Sequence, residues 1–239
     1  MSALPTPTDS TDELAPTQRT RLRRHAERGR FDRAAVHEVL DEAYIAHVGF
    51  VVDGGPRVLP MTYGRDGDVL YLHGAAGNAM LRASAGAEVC VTVTLLDGLV
   101  LARSAFHHSM NFRSVVLLGT AVKVTDDVEK RHAFDVIVDH VVPGRSQVAR
   151  PSNDVELRAT MVLRLPIEEG SAKVRTGGPI DDPDDLDLPV WSGVVPLRLT
   201  PGRLEQDTAQ AQAHPHLAPP PSAAFDRSPA ADGREPRHA

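Results

Sequence analysis

Residues 100–120, VLARSAFHHSMNFRSVVLLGT, set two adjacent histidines, Asn111, Arg113 and several serines between two strongly apolar runs. Arg113 offers a planar fork of donors and Ser114 a hydroxyl, a pair that suits a phosphate group. The same residues also allow a purely structural role, with Arg113 on a carboxylate and Ser114 bonding backbone. A second cluster, YLHGAAGNAMLRA (71–83), places His73 at a strand end, then two glycines, then the start of a helix. That order presents backbone N–H groups to an anion, and an imidazole there titrates near neutrality; a capping or core histidine is the plainer alternative. His107 and His108 suggest a metal or haem ligand, but neighbours in an extended segment face opposite sides, so at most one reaches any site. RTRLRRHAERGR (19–30) carries six arginines in twelve residues, read either as a solvated basic arm or as a contact to a partner subunit or cofactor phosphate. The chain has no H-E-x-x-H, C-x-x-C, G-x-S-x-G or P-loop pattern.

The elements that must position these residues are legible in the hydropathy pattern. FDRAAVHEVLDEA (31–43) predicts a short helix, with Asp32 as its N-cap and Val36, Val39 and Leu40 on one face. YIAHVGFVV, RVLPMTYG and VLYLHG read as three strands joined by the glycine turns DGG and RDGD, an antiparallel meander. NAMLRASAG predicts a brief helix ended by Gly86. AEVCVTVTLL and FRSVVLLGTAVKVT predict long strands covered on both faces, with RSAFHHSMN as the connecting loop. DDVEKRHAFDVIVDHVV (126–142) predicts a helix capped by Asp126 and broken by PGR, and LRATMVLRLPI and VWSGVVPLRL supply late strands. Six or seven strands with a few inserted helices predict an α+β fold, mainly β, built as an antiparallel barrel.

At 239 residues and 41% hydrophobic content the chain can bury one substantial core. Both ends read as disordered tails, residues 1–18 and the Pro/Ala-rich 205–239, leaving a folded region of 19–204. That assignment gives His214, His216 and His238 little prospect as ligands. No uninterrupted apolar run reaches the length of a membrane span, and no cationic start followed by an apolar stretch suggests secretion. The formal charge of −6 argues against general nucleic-acid binding. The single cysteine, Cys90, reads as a buried thiol in a strand, and the whole as a soluble cytoplasmic protein.

Taken together, FDRAAVHEVLDEA, VLPMTYG, LYLHGAAGNAMLRA, VTVTLLDGLVLARSAFHHSMNFRSVVLLGTA, SAKVRTGGP and PVWSGVVPL resemble the pyridoxamine 5'-phosphate oxidase-like superfamily of FMN-binding split barrels. The nearest resemblance is to the flavin-nucleotide-binding branch that includes the nitroimidazole-resistance reductases. The resemblance implies a six- to seven-stranded antiparallel split barrel forming a homodimer, with FMN at the subunit interface. It implies that Leu59, Pro60, Met61 and Thr62 line the isoalloxazine, and that His73, Gly74 and Asn78 lie along the flavin and its phosphate arm. Asn111, Arg113, Ser114 and Val115 would bind polar and phosphate groups, and Trp191 would approach from the partner subunit. Many relatives carry a lysine where Asn78 stands, which leaves Arg82, Arg113 or the N-terminal arginines to neutralise the phosphate. The implied activity is an FMN-dependent oxidoreductase. It would pass reducing equivalents from a reduced nicotinamide or deazaflavin to a small acceptor such as a nitro-aromatic, with His73 as proton donor or substrate contact. Vitamin B6 oxidation is not implied, because the substrate-binding C-terminal motif is missing. The alternatives are a flavin carrier or sensor without turnover, and a haem-binding split barrel using His47, His107 or His108.

Overall fold

The computed structural model describes residues 12–221 and residue 225. The chain runs through β1 (Gly29–Arg30), α1 (Arg33–Glu42), β2 (Ala46–Val52), β3 (Gly55–Met61), β4 (Tyr63–Asp66) and β5 (Val69–Ala75). Next come α2 (Ala79–Ser84), the two longest strands β6 (Glu88–Leu101) and β7 (Ser109–Thr120), and β8 (Val122–Lys123). The helices α3 (Asp127–Val141) and α4 (Asp154–Ala159) precede β9 (Thr160–Pro166), β10 (Glu169–Arg175), β11 (Gly193–Pro196) and α5 (Thr208–Ala213).

Every strand pairing is antiparallel. A seven-stranded sheet has the order β1-β10-β7-β6-β2-β3, with β11 added on β6, and a four-stranded sheet has the order β4-β5-β9-β8. The chain passes from one sheet to the other at three tight corners, Thr62, Ala121 and the pair Ile167–Glu168, and a fourth time through α2 between β5 and β6. Ala121 and Ile167 are fully buried there. This is an α+β fold dominated by β structure, as the pattern predicts.

Local chemistry explains most boundaries. The Asp32 carboxylate accepts from the Ala35 N–H at 2.8 Å and starts α1, and Asp126 does the same for α3 through Glu129. Between β2 and β3, Asp53 and Gly54 both take positive φ, 51° and 73°, the mirror-image turn that matches strand twist. The core between the sheets takes Val36, Val39 and Leu40 from α1, Val89, Val91 and Val93 from β6, Val115 and Leu117 from β7, and Leu163 and Leu165 from β9. A second apolar cluster seats α3 on the outer side of the small sheet through Ala133, Ile137, Tyr71 and Val162. A Cβ at Gly64 would stand 2.8 Å from the Ile137 backbone, so glycine on β4 is what lets α3 approach.

The structure departs from the sequence reading in several places. RVLPMTYG is two strands, β3 and β4, because the chain changes sheets at Thr62. The strands around Cys90 and Val115 are not covered on both faces. Val89, Val91 and Val93 are buried while Cys90 and Thr92 are half-buried and Thr94 is exposed. β7 begins at Ser109, so Asn111 lies in a strand. β10 escapes hydropathy because EGSAKVR has little apolar alternation, and its strand character comes from pairing with β7 along its whole length. The packed region also begins before Arg19, since Leu14 is buried in the main core and the Leu14 N–H bonds the Phe31 carbonyl. At the other end α5 buries no residue. The expectation of disorder for residues 1–11, 222–224 and 226–239, with His238 among them, lies outside the described residues. No helix of the described residues is long and apolar enough to cross a membrane.

Candidate functional site

Strand alternation divides the polar cluster of residues 111–115 between two faces. Val115 is fully buried in the core, and Arg113 shares its face. The Arg113 guanidinium hydrogen-bonds two carboxylates and lies 3.6 Å from a third, Glu38 Oε1. Its Nη2 donates to Glu42 Oε1 at 2.8 Å and to Asp97 Oδ1 at 2.9 Å, Nε donates to Asp97 Oδ2 at 3.1 Å, and Nη1 bonds Glu42 Oε2. Glu42 and then Asp97 raise its pKa well above the ordinary arginine value. Asp97 sits at the β-bulge where the β6–β7 register shifts, so the bulge aims a carboxylate at Arg113. The structural alternative for Arg113 is therefore the one the geometry shows: its charge ties α1 to β6 and β7.

Asn111 is buried and also committed. Its Nδ2 donates to the Gly177 carbonyl at 3.1 Å, and its Oδ1 accepts from the Arg175 guanidinium. His107 contacts an Asp182 carboxylate oxygen at 3.1 Å through Nε2, and His108 contacts the Ser104 carbonyl at 2.9 Å through Nδ1. Arg103 pairs with Asp181 at 2.8 Å. Most of the polar chemistry in residues 103–113 thus pins the β6–β7 hairpin to the segment after β10. Ser114 points the other way, to the outer face, where its hydroxyl donates to the Lys173 carbonyl at 3.4 Å.

A different set of residues converges on the outer side of the Thr62 corner. The pairings His47↔Pro60 and His47↔Thr92 put these three side chains in one outward row. Tyr63↔Leu72 pairing sets Thr62 beside His73 at the adjoining end of the small sheet. Met61 turns inward against the core, while Val58 and Leu59 on the edge strand β3 are exposed, at 62% and 43%. His73 is half-buried, and its Nδ1 is buried with no hydrogen-bond partner. Desolvation lowers its pKa below the ordinary 6.5, so the ring is neutral at pH 7. His47 is exposed and has no hydrogen bond among the described residues. Gly74 fits because a Cβ there would come within 2.9 Å of Leu81 Cδ1. Asn78 caps α2, its Oδ1 accepting from Met80 N–H at 2.9 Å and Leu81 N–H at 3.4 Å, and it brings no charge. Trp191 is exposed just ahead of β11 and away from core contacts.

The neutral state of His73 has a measurable consequence. Burial also lowers His37, which in addition faces the positive charge of Arg65. The unfolded chain takes up protons below about pH 6.5, while these two folded rings resist them. Stability is therefore complete above that pH and falls as pH drops through the folded pKa values. Urea midpoints at pH 7.5 and 5.5 check this: His37→Gln with His73→Gln should shrink the loss, and an unchanged loss would assign it elsewhere.

A cleft of about 780 Å³ lies elsewhere, between α1 and α3. Glu38, Asp41, Asp135 and Asp139 line it, and none of the expected site residues does. Nor do the described residues contain a group of three or more His, Cys, Asp and Glu side chains placed to hold a metal ion. The residues that sequence reasoning passed over are Lys173 and Arg175. The signal was two cations in alternate positions of SAKVRTGGP, a segment too polar to read as a strand.

The comparisons with known proteins agree with this architecture. The flavocytochrome Anf3 from Azotobacter vinelandii is similar at 40% identity and TM-score 0.80, over 87% of this chain and 95% of that one. An FAD- and haem-binding protein from Mycobacterium smegmatis is similar at 37% identity and TM-score 0.76, over 82% of this chain and 95% of that one. A protein assigned to 5-nitroimidazole antibiotic resistance, from Bacteroides thetaiotaomicron, is similar at 28% identity and TM-score 0.50, over 60% of this chain and 84% of that one. No curated protein matches. The sequence pattern of the pyridoxamine 5'-phosphate oxidase family matches residues 32–174, from the cap of α1 to the end of β10, and with the split arrangement of two sheets the chain belongs to that family.

Proposed function

We propose that this chain is a flavin-binding redox protein that also carries haem, and that it passes electrons to a small acceptor. The observation that carries the reading is the near full-length similarity to two proteins whose names state both groups, a flavocytochrome and an FAD- and haem-binding protein. It shifts the expected cofactor from FMN towards FAD, and makes haem an addition to the flavin where the sequence reading held it as a replacement.

The outer corner fits a flavin on its own chemistry. An exposed apolar edge, Val58 to Pro60, flanks Thr62 and a neutral imidazole whose Nδ1 lacks a partner. A planar ring system covers apolar surface of this kind, and polar ring atoms supply what a desolvated imidazole lacks. Pro60, Thr62, His73 and Gly74 would lie along the ring, with Ser114 and Thr94 under the side chain of the cofactor. The flavin supplies the electron and hydride chemistry, and the protein supplies orientation and water exclusion. His73, with one unprotonated nitrogen in its neutral ring, would accept a proton near pH 7 and could return it once protonated.

Haem requires one or two axial ligands and an apolar wall. Of the three histidines named for it in the sequence, His107 contacts Asp182 through Nε2 and His108 contacts the Ser104 carbonyl through Nδ1, and in each the second ring nitrogen stays available to a metal. His47, on the same outer row as Pro60, is exposed and has no hydrogen bond among the described residues. The exposed β3 edge and Trp191 support a homodimer in which Trp191 reaches the site of a second copy.

Reconstitution tests the reading. Protein stripped of cofactor should bind FAD or FMN at one per chain by fluorescence quenching, and then take up haem with a sharp Soret band. Binding of neither flavin sinks the flavin reading. Flavin binding with no stoichiometric haem uptake sinks the haem part alone.

A further inference from the structure

The arginine-rich segment 19–30 is the charged motif that the site above leaves without a role. The fold ties it down at both ends. Before it, Leu14 is buried in the main core and its N–H bonds the Phe31 carbonyl at 2.8 Å. Thr20 is buried, and Arg19 bonds both Glu88 and Glu169, with Nε 3.2 Å from Glu169 Oε1. After it, β1 pairs with β10. Leu22 packs at Gly29, where a Cβ would stand 3.1 Å from Leu22 Cδ1. The segment is an anchored loop, not a free tail.

Its arginines fall into two sets. Arg19 is neutralised, and Arg28 Nε lies 3.7 Å from Glu27. The Arg30 guanidinium turns back, donating to the Glu27 carbonyl at 3.1 Å and the Gly29 carbonyl at 3.0 Å. Glu27, the one carboxylate in the segment, is engaged by His25 and Arg28. Arg21, Arg23 and Arg24 form the second set. They are exposed, and their side chains make no hydrogen bond or ion pair among the described residues. Gln18, Arg21 and Arg23 line a cleft of about 270 Å³. The chain has 32 acidic residues and a net charge of −6, yet none among the described residues is set against these three cations. Like charges gathered in an anchored loop repel one another, a cost that a partner's opposite charge removes.

We infer that Arg21, Arg23 and Arg24 are a docking surface for a small acidic protein of the electron-carrier class. The partner's class rests on the redox reading above; its charge rests on the three unpaired arginines. A basic patch on a body of net charge −6 gives an acidic protein one favoured side to approach, which orients the encounter. The cleft between Arg21 and Arg23 suits a carboxylate side chain of the partner, since a guanidinium fork holds that group through two parallel bonds. The location fits the same role. β1 pairs with β10 and β10 with β7, so the end of the segment stands two strand spacings, ~10 Å, from Ser114 beside the proposed flavin. Other anionic surfaces match less well. Single-stranded nucleic acid calls for aromatic rings between the cations, and residues 19–30 contain no Phe, Tyr or Trp. A lipid surface calls for exposed apolar anchors, and Leu22 is turned onto Gly29.

The test compares the full chain as purified with the triple variant Arg21→Glu/Arg23→Glu/Arg24→Glu, which touches no residue of the proposed cofactor site. Calorimetric titrations use a ferredoxin and a flavodoxin as acidic carriers, and a cytochrome c as a basic control. Wild type should bind an acidic carrier, and binding should weaken as ionic strength rises from about 0.01 to about 0.15 M, where the Debye length falls from ~30 to ~8 Å. The variant should lose about tenfold or more in that affinity at the lower ionic strength. Its Tm should not fall, since the substitutions relieve repulsion, and its affinity for cytochrome c should not drop. Equal affinity of wild type and variant for the acidic carriers, or binding of neither carrier, overturns the docking surface. So does a variant whose one defect is lost self-association, or lost binding to phosphatidylserine vesicles, which assigns the arginines to a second copy or to a membrane. If carrier docking fails in a protein that holds flavin and haem, the redox reading stands. If carrier binding depends on the three arginines in a protein that takes up neither group, the docking surface stands and the redox reading falls.

Discussion

Arg113→Met should lower the unfolding free energy by about 2–4 kcal/mol. Breaking a largely buried ion pair from one side leaves the other partner uncompensated, and here Glu42 and Asp97 are two such partners, with the more exposed Glu38 a third at 3.6 Å. Arg113 and Glu42 are mostly shielded, with side-chain exposures of 15% and 18%, and Asp97 is more open at 31%. Solvent screening at Asp97 keeps the figure below the top of the range for fully buried pairs. The damage should be local to the bulge at Asp97 and the end of α1, since these are what the guanidinium joins. Urea unfolding of wild type, Arg113→Met and Arg113→Met/Glu42→Gln is the measurement. The double variant should recover part of the loss, because its remaining amide carries no orphaned charge. An unchanged midpoint in Arg113→Met would mean the clamp is not formed in solution and would restore Arg113 as a candidate for the cofactor's phosphate.

His73→Ala should retain flavin, with affinity changed by less than about threefold, and slow turnover with a small acceptor by about 100-fold. The separation of the two effects is the informative part. The imidazole is one contact among several on the ring, and it is the one whose buried Nδ1 lacks a hydrogen-bond partner. Steady-state rates with reduced nicotinamide and a nitro-aromatic acceptor, together with flavin titrations, measure both. A parallel loss of flavin would make His73 a binding residue, and an unchanged rate would remove it from the chemistry. His73→Gln should not rescue the rate, since an amide preserves the hydrogen bond and loses the titration.

Much of the fold was legible because its signals are local. Asp32 and Asp126 cap where their spacing to the apolar face predicts, and Asp53–Gly54 turns where a two-residue hairpin demands positive φ. What the sequence concealed is non-local. Nothing in RVLPMTYG announces a change of sheet at Thr62, and EGSAKVR becomes a strand only because β7 is there to pair with it. The site was half legible for the same reason. Alternation along β7 could be anticipated, and it splits Asn111, Arg113 and Val115 from Ser114. The carboxylates that occupy Arg113 come from 71 and 16 residues away, and no window around NFRSVV contains Glu42. Likewise the oxygens that hold Arg175 converge only once Asn111 and the Gly177 and Gly178 carbonyls have folded around it.

The central claim is that this member of the family carries flavin and haem together. The most direct measurement is the absorption spectrum of the full-length protein as purified, followed by release and chromatographic identification of the bound groups. The account predicts a Soret band superimposed on flavin absorption, with FAD in the released fraction and haem in a fixed ratio to it. Flavin without haem, haem without flavin, or a colourless protein that takes up none of added FAD, FMN and haem would contradict it.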